Sequence, residues 1–155
     1  MRMLKRIGFA VIVFANAVSG SSAFAKTMTC HHASDKDVAA LFDRWNASLQ
    51  TGDPEKVVAN YATPSILLPT LSKKPRVTVE EKKDYFLNFL KKRPVGKIDF
   101  RNIAIDCNTA VDAGLYTFTF ADGSQAKARY TYTYEWDGRK WLITSHHSSL
   151  LPEDD

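Results

Sequence analysis

From Val38 the apolar residues recur with a helical period. Val38, Leu41, Phe42, Trp45 and Leu49 fall at i, i+3, i+4, i+7 and i+11, one stripe of an amphipathic helix. Ser34 with Asp37 three residues on forms a capping box at its start, and Gly52 marks its end. Asp53-Pro54 then supplies an N-cap and a first-turn proline for a short second helix with the stripe Val57, Val58 and Tyr61, closed off before Pro64. Residues 66–68 read as a short buried strand, and 69–77, with two prolines and Lys73-Lys74, as a loop or irregular edge strand. A second capping box, Thr78 and Glu81, opens a third helix whose apolar side is Tyr85, Phe86, Phe89 and Leu90 and which Pro94 stops.

After Gly96 the period changes to two. Ile98 and Phe100 alternate, then Ile103, Ile105 and Cys107 do so one register over, so a β-bulge is expected at Arg101-Asn102. Residues 111–120 form the next strand and Asp122-Gly123-Ser124 the next turn. In 129–136 the polar series Arg129, Thr131, Thr133 and Glu135 alternates with Tyr130, Tyr132, Tyr134 and Trp136, and Asp137-Gly138 turns the chain. From Trp141 strict alternation puts Trp141, Ile143, Ser145, His147 and Ser149 on one face and Leu142, Thr144, His146 and Ser148 on the other. Helices followed by a meander make an α+β fold, three N-terminal helices packed on a curved antiparallel sheet and enclosing a conical pocket. The tyrosine row is assigned to the outer face, where it would meet another copy of the chain.

Composition changes this picture in two places. Arg2, Lys5 and Arg6 precede an apolar run ending at Ala23-Phe24-Ala25, the pattern of a secretory signal peptide over residues 1–25 with an A-x-A cleavage site. A single domain, 26–155, would remain, exported to the periplasm or the extracellular space, with no membrane span in its mature form. The whole-chain net charge is +4, and the leader holds three basic and no acidic side chains, so the mature charge is +1. That removes the compositional support for nucleic-acid binding. The two cysteines, Cys30 and Cys107, both lie beyond the leader, and in an oxidising compartment one disulfide between them is the simplest use; two free thiols or a metal pair is the alternative.

The four histidines come as adjacent pairs, His31-His32 and His146-His147. Neighbouring strand residues point to opposite faces, so one pair cannot serve one ion, and no metal or cofactor is expected. His147, sharing a face with Trp141 and Ile143, is read as the pocket residue, either a hydrogen-bonded structural histidine or a general base. Arg129 is either exposed at the interface or aimed into the pocket, where it would grip a carboxylate; its structural alternative is an ion pair with Glu135, Asp99 or Asp112. Trp45, Tyr61 and Tyr85 are core or pocket wall, and Arg101 completes the candidate ligand-binding set. Asn46-Ala47-Ser48 falls inside a helix and is discounted as a glycosylation acceptor, and Lys91, Lys92 and Arg93 suit a helix C-terminus. No Ser/His/Asp order, nucleotide loop or carboxylate pair stands out.

The segments 49–53 (LQTGD), 85–90 (YFLNFL) and above all 137–153 (DGRKWLITSHHSSLLPE) resemble the nuclear transport factor 2-like, or SnoaL-like, superfamily, and within it the association domain of calcium/calmodulin-dependent protein kinase II and its stand-alone bacterial relatives. The resemblance runs over residues 35–153. It implies a cystatin-like cone, a homo-oligomer (dimer or larger ring) built through the sheet's outer face, no kinase activity, and an arginine-lined pocket for small carboxylate-like ligands. Arg129 lies on a strand similar to an arginine-bearing one, while 115–120 has no arginine. The expected function is an exported, oligomerising, non-enzymatic domain binding a small polar or anionic molecule. The alternative is an isomerase, cyclase or hydrolase of the SnoaL-like kind, with His147 as acid or base and Tyr61 or Tyr85 orienting substrate.

Overall fold

The computed structural model describes residues 29–152, so the expected leader lies outside the described residues. Helix α1, Asp35–Leu49, begins at the Ser34 capping box and buries the expected stripe of Val38, Leu41, Phe42, Trp45 and Leu49. Helix α2, Pro54–Val58, starts with Asp53 accepting from the Glu55 amide. It stops short of Tyr61, which instead opens strand β1, Tyr61–Leu68. Helix α3, Val79–Phe89, carries the second capping box, in which Glu81 accepts from the Thr78 amide while the Thr78 hydroxyl accepts from that of Glu81. Four long strands follow: β2 Val95–Ile105, β3 Thr109–Thr119, β4 Gln125–Trp136 and β5 Trp141–Leu150.

The sheet order is β1-β5-β4-β3-β2. Strands β2 to β5 form an antiparallel meander, and β1 adds to the edge of β5 in parallel. Helix α1 crosses the concave side, with α2 and α3 packed together beside it, giving the expected α+β cone. Among the described residues no helix is long and apolar enough to cross a membrane. Cys30 and Cys107 are joined by a disulfide that ties the N-terminal segment to the β2–β3 turn. His31 adds to this strap by stacking on Trp136, ring centroids 3.5 Å apart.

Two corrections concern which way the sheet faces. The tyrosine row does not lie outside: Tyr130, Tyr132 and Tyr134 are 2%, 0% and 1% exposed and pack under α1. The period-two reading of β4 holds, but the aromatic face is the one the α1 stripe covers, because burying three phenol rings outweighs burying the threonines and the charges opposite them.

The second correction comes from bulges. Thr133 pairs with Ser145 and Tyr134 with Ile143, so Thr144 is an extra residue on β5. Before it, Trp141 and Ile143 face the core; after it, the inward positions become His146 and Ser148, and His147 turns out to solvent. A bulge also occurs in β2, between Ile98 and Phe100, slightly earlier than the expected Arg101-Asn102. It turns Phe100 outward, 61% exposed, and presses its backbone on β3 so closely that a Cβ on Gly114 would lie 2.0 Å from the Phe100 carbonyl oxygen.

Candidate functional site

The inward positions of β4 run Tyr134, Tyr132, Tyr130, Ala128 and Ala126, so large rings give way to methyl groups along one line of the sheet. The cone is filled at the tyrosine end and hollow at the alanine end. There it holds a cavity of about 290 Å³ lined by α3, the loop after β1 and the inner faces of β3, β4 and β5. Its walls are mainly apolar, with Leu67, Phe86, Phe89 and Phe118 among them.

One cluster of polar groups on the cavity wall centres on β5, while Asp84, Asn88 and Lys92 line it elsewhere. Ser148 of β5 accepts a hydrogen bond from the Tyr116 hydroxyl of β3 at 2.6 Å and shares a short one with Thr70 Oγ1 of the loop. His146, two residues back on the same strand, also lines the cavity and is buried. Its Nδ1 lies 2.8 Å from the Tyr61 hydroxyl, while Nε2 has no hydrogen-bond partner among the described residues. Tyr132 stacks on the imidazole at 4.1 Å and the Trp45 ring meets it edge-on at 5.3 Å, so ring orientation is fixed on both sides. Arg76 supplies a cation at the wall; its guanidinium lies 6.0 Å from the centre of the Tyr85 ring and its Nε is buried without a partner.

Burial dominates the electrostatics. It drives the His146 ring down from its ordinary 6.5 to about 3, with the neighbouring His147 adding a smaller push, so the imidazole is neutral across the physiological range. Burial likewise pushes Tyr85 up to about 12, against the pull of Arg76, and raises Tyr116 further still, against its hydrogen bond to Ser148. The cavity therefore offers neutral hydroxyls and a neutral imidazole beside the Arg76 guanidinium, with Lys92 and Asp84 also on its lining, and the two cations outnumber the one carboxylate for a small oxyanion.

The sequence-expected residues are only partly brought together here. Trp45 and Tyr85 are cavity wall, and Tyr61 stands behind His146. Arg101 is committed elsewhere: its Nε lies 3.1 Å from the Asp112 carboxylate, which also accepts from the Tyr130 hydroxyl at 2.8 Å. Burial raises the Asp112 carboxyl above its usual range, against the pull of Tyr130 and Arg101. Arg129 and His147 are exposed on the convex face and do not reach the cavity. For Arg129 the reason is that its strand alternates opposite to the tyrosines; for His147 it is the Thr144 bulge. The residues missed were His146, Ser148, Tyr116, Thr70 and Arg76. The alanines at 126 and 128 were the one available signal, small inward residues in an otherwise aromatic strand. Among the described residues no three His, Cys, Asp or Glu side chains converge as a metal-ligand set.

Comparison with known proteins gives three kinds of result. The sequence profile of the calcium/calmodulin dependent protein kinase II association domain matches residues 34–152. No curated protein matches the chain. Among solved structures, a protein from Xanthomonas campestris assigned as such an association domain is 47% identical, covering 84% of this chain and 100% of its own, with a TM-score of 0.72. The iota-carbonic anhydrase from a cyanobacterium, complexed with bicarbonate, is 22% identical over 79% of this chain and 94% of its own, TM-score 0.70. A nuclear transport factor 2-like protein of cystatin-like fold from Novosphingobium aromaticivorans is 9% identical over 77% and 82%, TM-score 0.65. The latter two establish likeness of fold.

Proposed function

Because the chain belongs to the calcium/calmodulin-dependent protein kinase II association-domain family, we propose that it is an exported, oligomeric domain whose cone binds a small oxyanion, of the bicarbonate or short-carboxylate class, on the hydroxyls beside His146. One observation carries this: Ser148, Tyr116 and Thr70 form a joined hydroxyl group on the wall of a 290 Å³ cavity next to a neutral imidazole. A carboxylate or bicarbonate can accept or share hydrogen bonds there, and Arg76, whose Nε has no partner among the described residues, supplies an attraction of opposite sign, with Lys92 a second cation on the lining. Titration calorimetry with bicarbonate and acetate tests it. Binding to the wild type should weaken about tenfold in Ser148→Ala, the cost of one hydrogen bond to a charged group, and stay unchanged in Arg129→Ala. No heat with either anion, or equal affinity in Ser148→Ala, removes the reading.

Export is supported by the leader pattern and agrees with the Cys30–Cys107 disulfide. Oligomerisation is supported by the family and by the convex face, where Phe100 is 61% and Val111 37% exposed. Light scattering should find at least a dimer, reduced to monomer by Phe100→Glu.

A second reading is reversible hydration of carbon dioxide at the same hydroxyls. The apolar walls suit neutral carbon dioxide and the hydroxyl side suits bicarbonate, and the cyanobacterial enzyme of this fold is a carbonic anhydrase that holds bicarbonate. Any acid–base work would fall to His146 rather than His147, although an imidazole held at about 3 is a weak base. Stopped-flow hydration assays on the wild type and Ser148→Ala separate the two: hydration above the buffer rate, lost in the variant, favours the enzyme.

A further inference from the structure

We infer that Tyr61 fixes His146 as the Nε2–H tautomer, making the buried imidazole a hydrogen-bond donor to whatever oxyanion occupies the cavity, with Tyr61 as its positioning residue. The inference rests on the pocket reading above for the ligand, but not for the tautomer.

The direction of the hydrogen bond follows from what each direction would leave unpaired. Tyr61 Oη and His146 Nδ1 are 2.8 Å apart, and either could donate. Nδ1 is the one hydrogen-bond partner of the buried Tyr61 hydroxyl among the described residues, so a donating Nδ1 would leave the phenol hydrogen without an acceptor. Tyr61 therefore donates to Nδ1. A neutral imidazole that accepts at Nδ1 carries its proton at Nε2. The order is Tyr61 O–H to Nδ1, and Nε2–H onward.

That last donor has no partner among the described residues, although the side chain is 4% exposed and lines the cavity. A buried N–H left unpaired is costly, so the cavity's contents have to supply the acceptor. The opposite tautomer would present a lone pair to a carboxylate oxygen and repel it. The ring cannot swap its nitrogens by flipping, because Tyr132 is stacked against it and Trp45 closes the edge.

Long-range proton–nitrogen correlation spectra of the imidazoles at pH 7, with His146 assigned by its loss in His146→Gln, provide the test. The wild type should show a neutral ring protonated at Nε2, and Tyr61→Phe should shift it toward a mixture of tautomers while weakening bicarbonate binding about tenfold. A wild-type ring protonated at Nδ1 or at both nitrogens overturns the inference, as does a Tyr61→Phe spectrum identical to wild type. Should Tyr61→Phe not fold, the wild-type spectrum decides alone. A wild type that binds no oxyanion yet shows the Nε2–H ring, lost in Tyr61→Phe, supports the tautomer assignment and overturns the ligand reading of the preceding section.

Discussion

Ser148 and His146 lie two positions apart on β5, and each exerts its effect through what surrounds it. For His146 the surroundings are Tyr61 from β1, Trp45 from α1 and Tyr132 from β4, with the adjacent His147 imidazole adding a smaller electrostatic push. A pH dependence of stability follows. The unfolded ring titrates near 6.5 and the folded ring near 3, so between these values only the unfolded chain takes up the proton. Stability is complete above about 6.5 and lost as the pH falls toward 3, by about 2 kcal/mol at pH 5. Urea midpoints from pH 8 to pH 5 should fall for the wild type and fall less for His146→Phe; parallel curves would refute it. Gly114 is a second residue whose role is geometric. Gly114→Ala places a methyl against the Phe100 carbonyl and should cost about 3 kcal/mol or prevent folding, read by thermal melting.

The elements are joined by a few polar contacts that sequence periodicity does not display. Lys82 sits on α3 among apolar neighbours, 1% exposed, and its ammonium donates to the carbonyls of Ser65 at 2.8 Å and Val77 at 3.0 Å. It thereby ties the start of α3 to the middle of β1, where the register with β5 shifts between Tyr61 and Ile66. Lys82→Met keeps the chain length and removes the donors, leaving the carbonyls unpaired, and should destabilise by about 2 kcal/mol in denaturant titrations. The burial of Lys82 was not legible in the sequence, because its ammonium finds its acceptors on β1 and the loop before α3. The helix starts were legible to the residue, while α2 ended sooner than its stripe suggested. Ser34, Asp37, Thr78 and Glu81 form closed capping boxes, and such local chemistry needs nothing distant to act.

For the whole molecule, the strap joining Cys30 to Cys107 closes a loop of 77 positions. In the chain-entropy account this contributes about 4 kcal/mol by restricting the unfolded chain. Replacing both cysteines by serine should lower the urea midpoint accordingly, while the cavity, whose lining includes neither cysteine, keeps its proposed oxyanion affinity. A midpoint unchanged from wild type would show that the strap adds nothing. The proposed assembly belongs to the same scale, since the face left outward after α1 covers the tyrosines carries Arg129, His147 and the exposed Phe100.

The sequence by itself determined the three helices, the strand count, the α+β class and the family, because each rests on local periodicity, caps or a run of residues. It also marked Trp45 and Tyr85 as wall. Only the tertiary structure decided which face of β4 is inside, since alternation is symmetric until the α1 stripe chooses a side. It also decided which histidine of the pair enters the cone. One extra residue, Thr144, reverses every position after it, and a bulge is a matter of pairing between strands that β5 alone does not encode. The candidate site therefore lies at His146, Ser148 and Tyr116 rather than at His147 and Arg129.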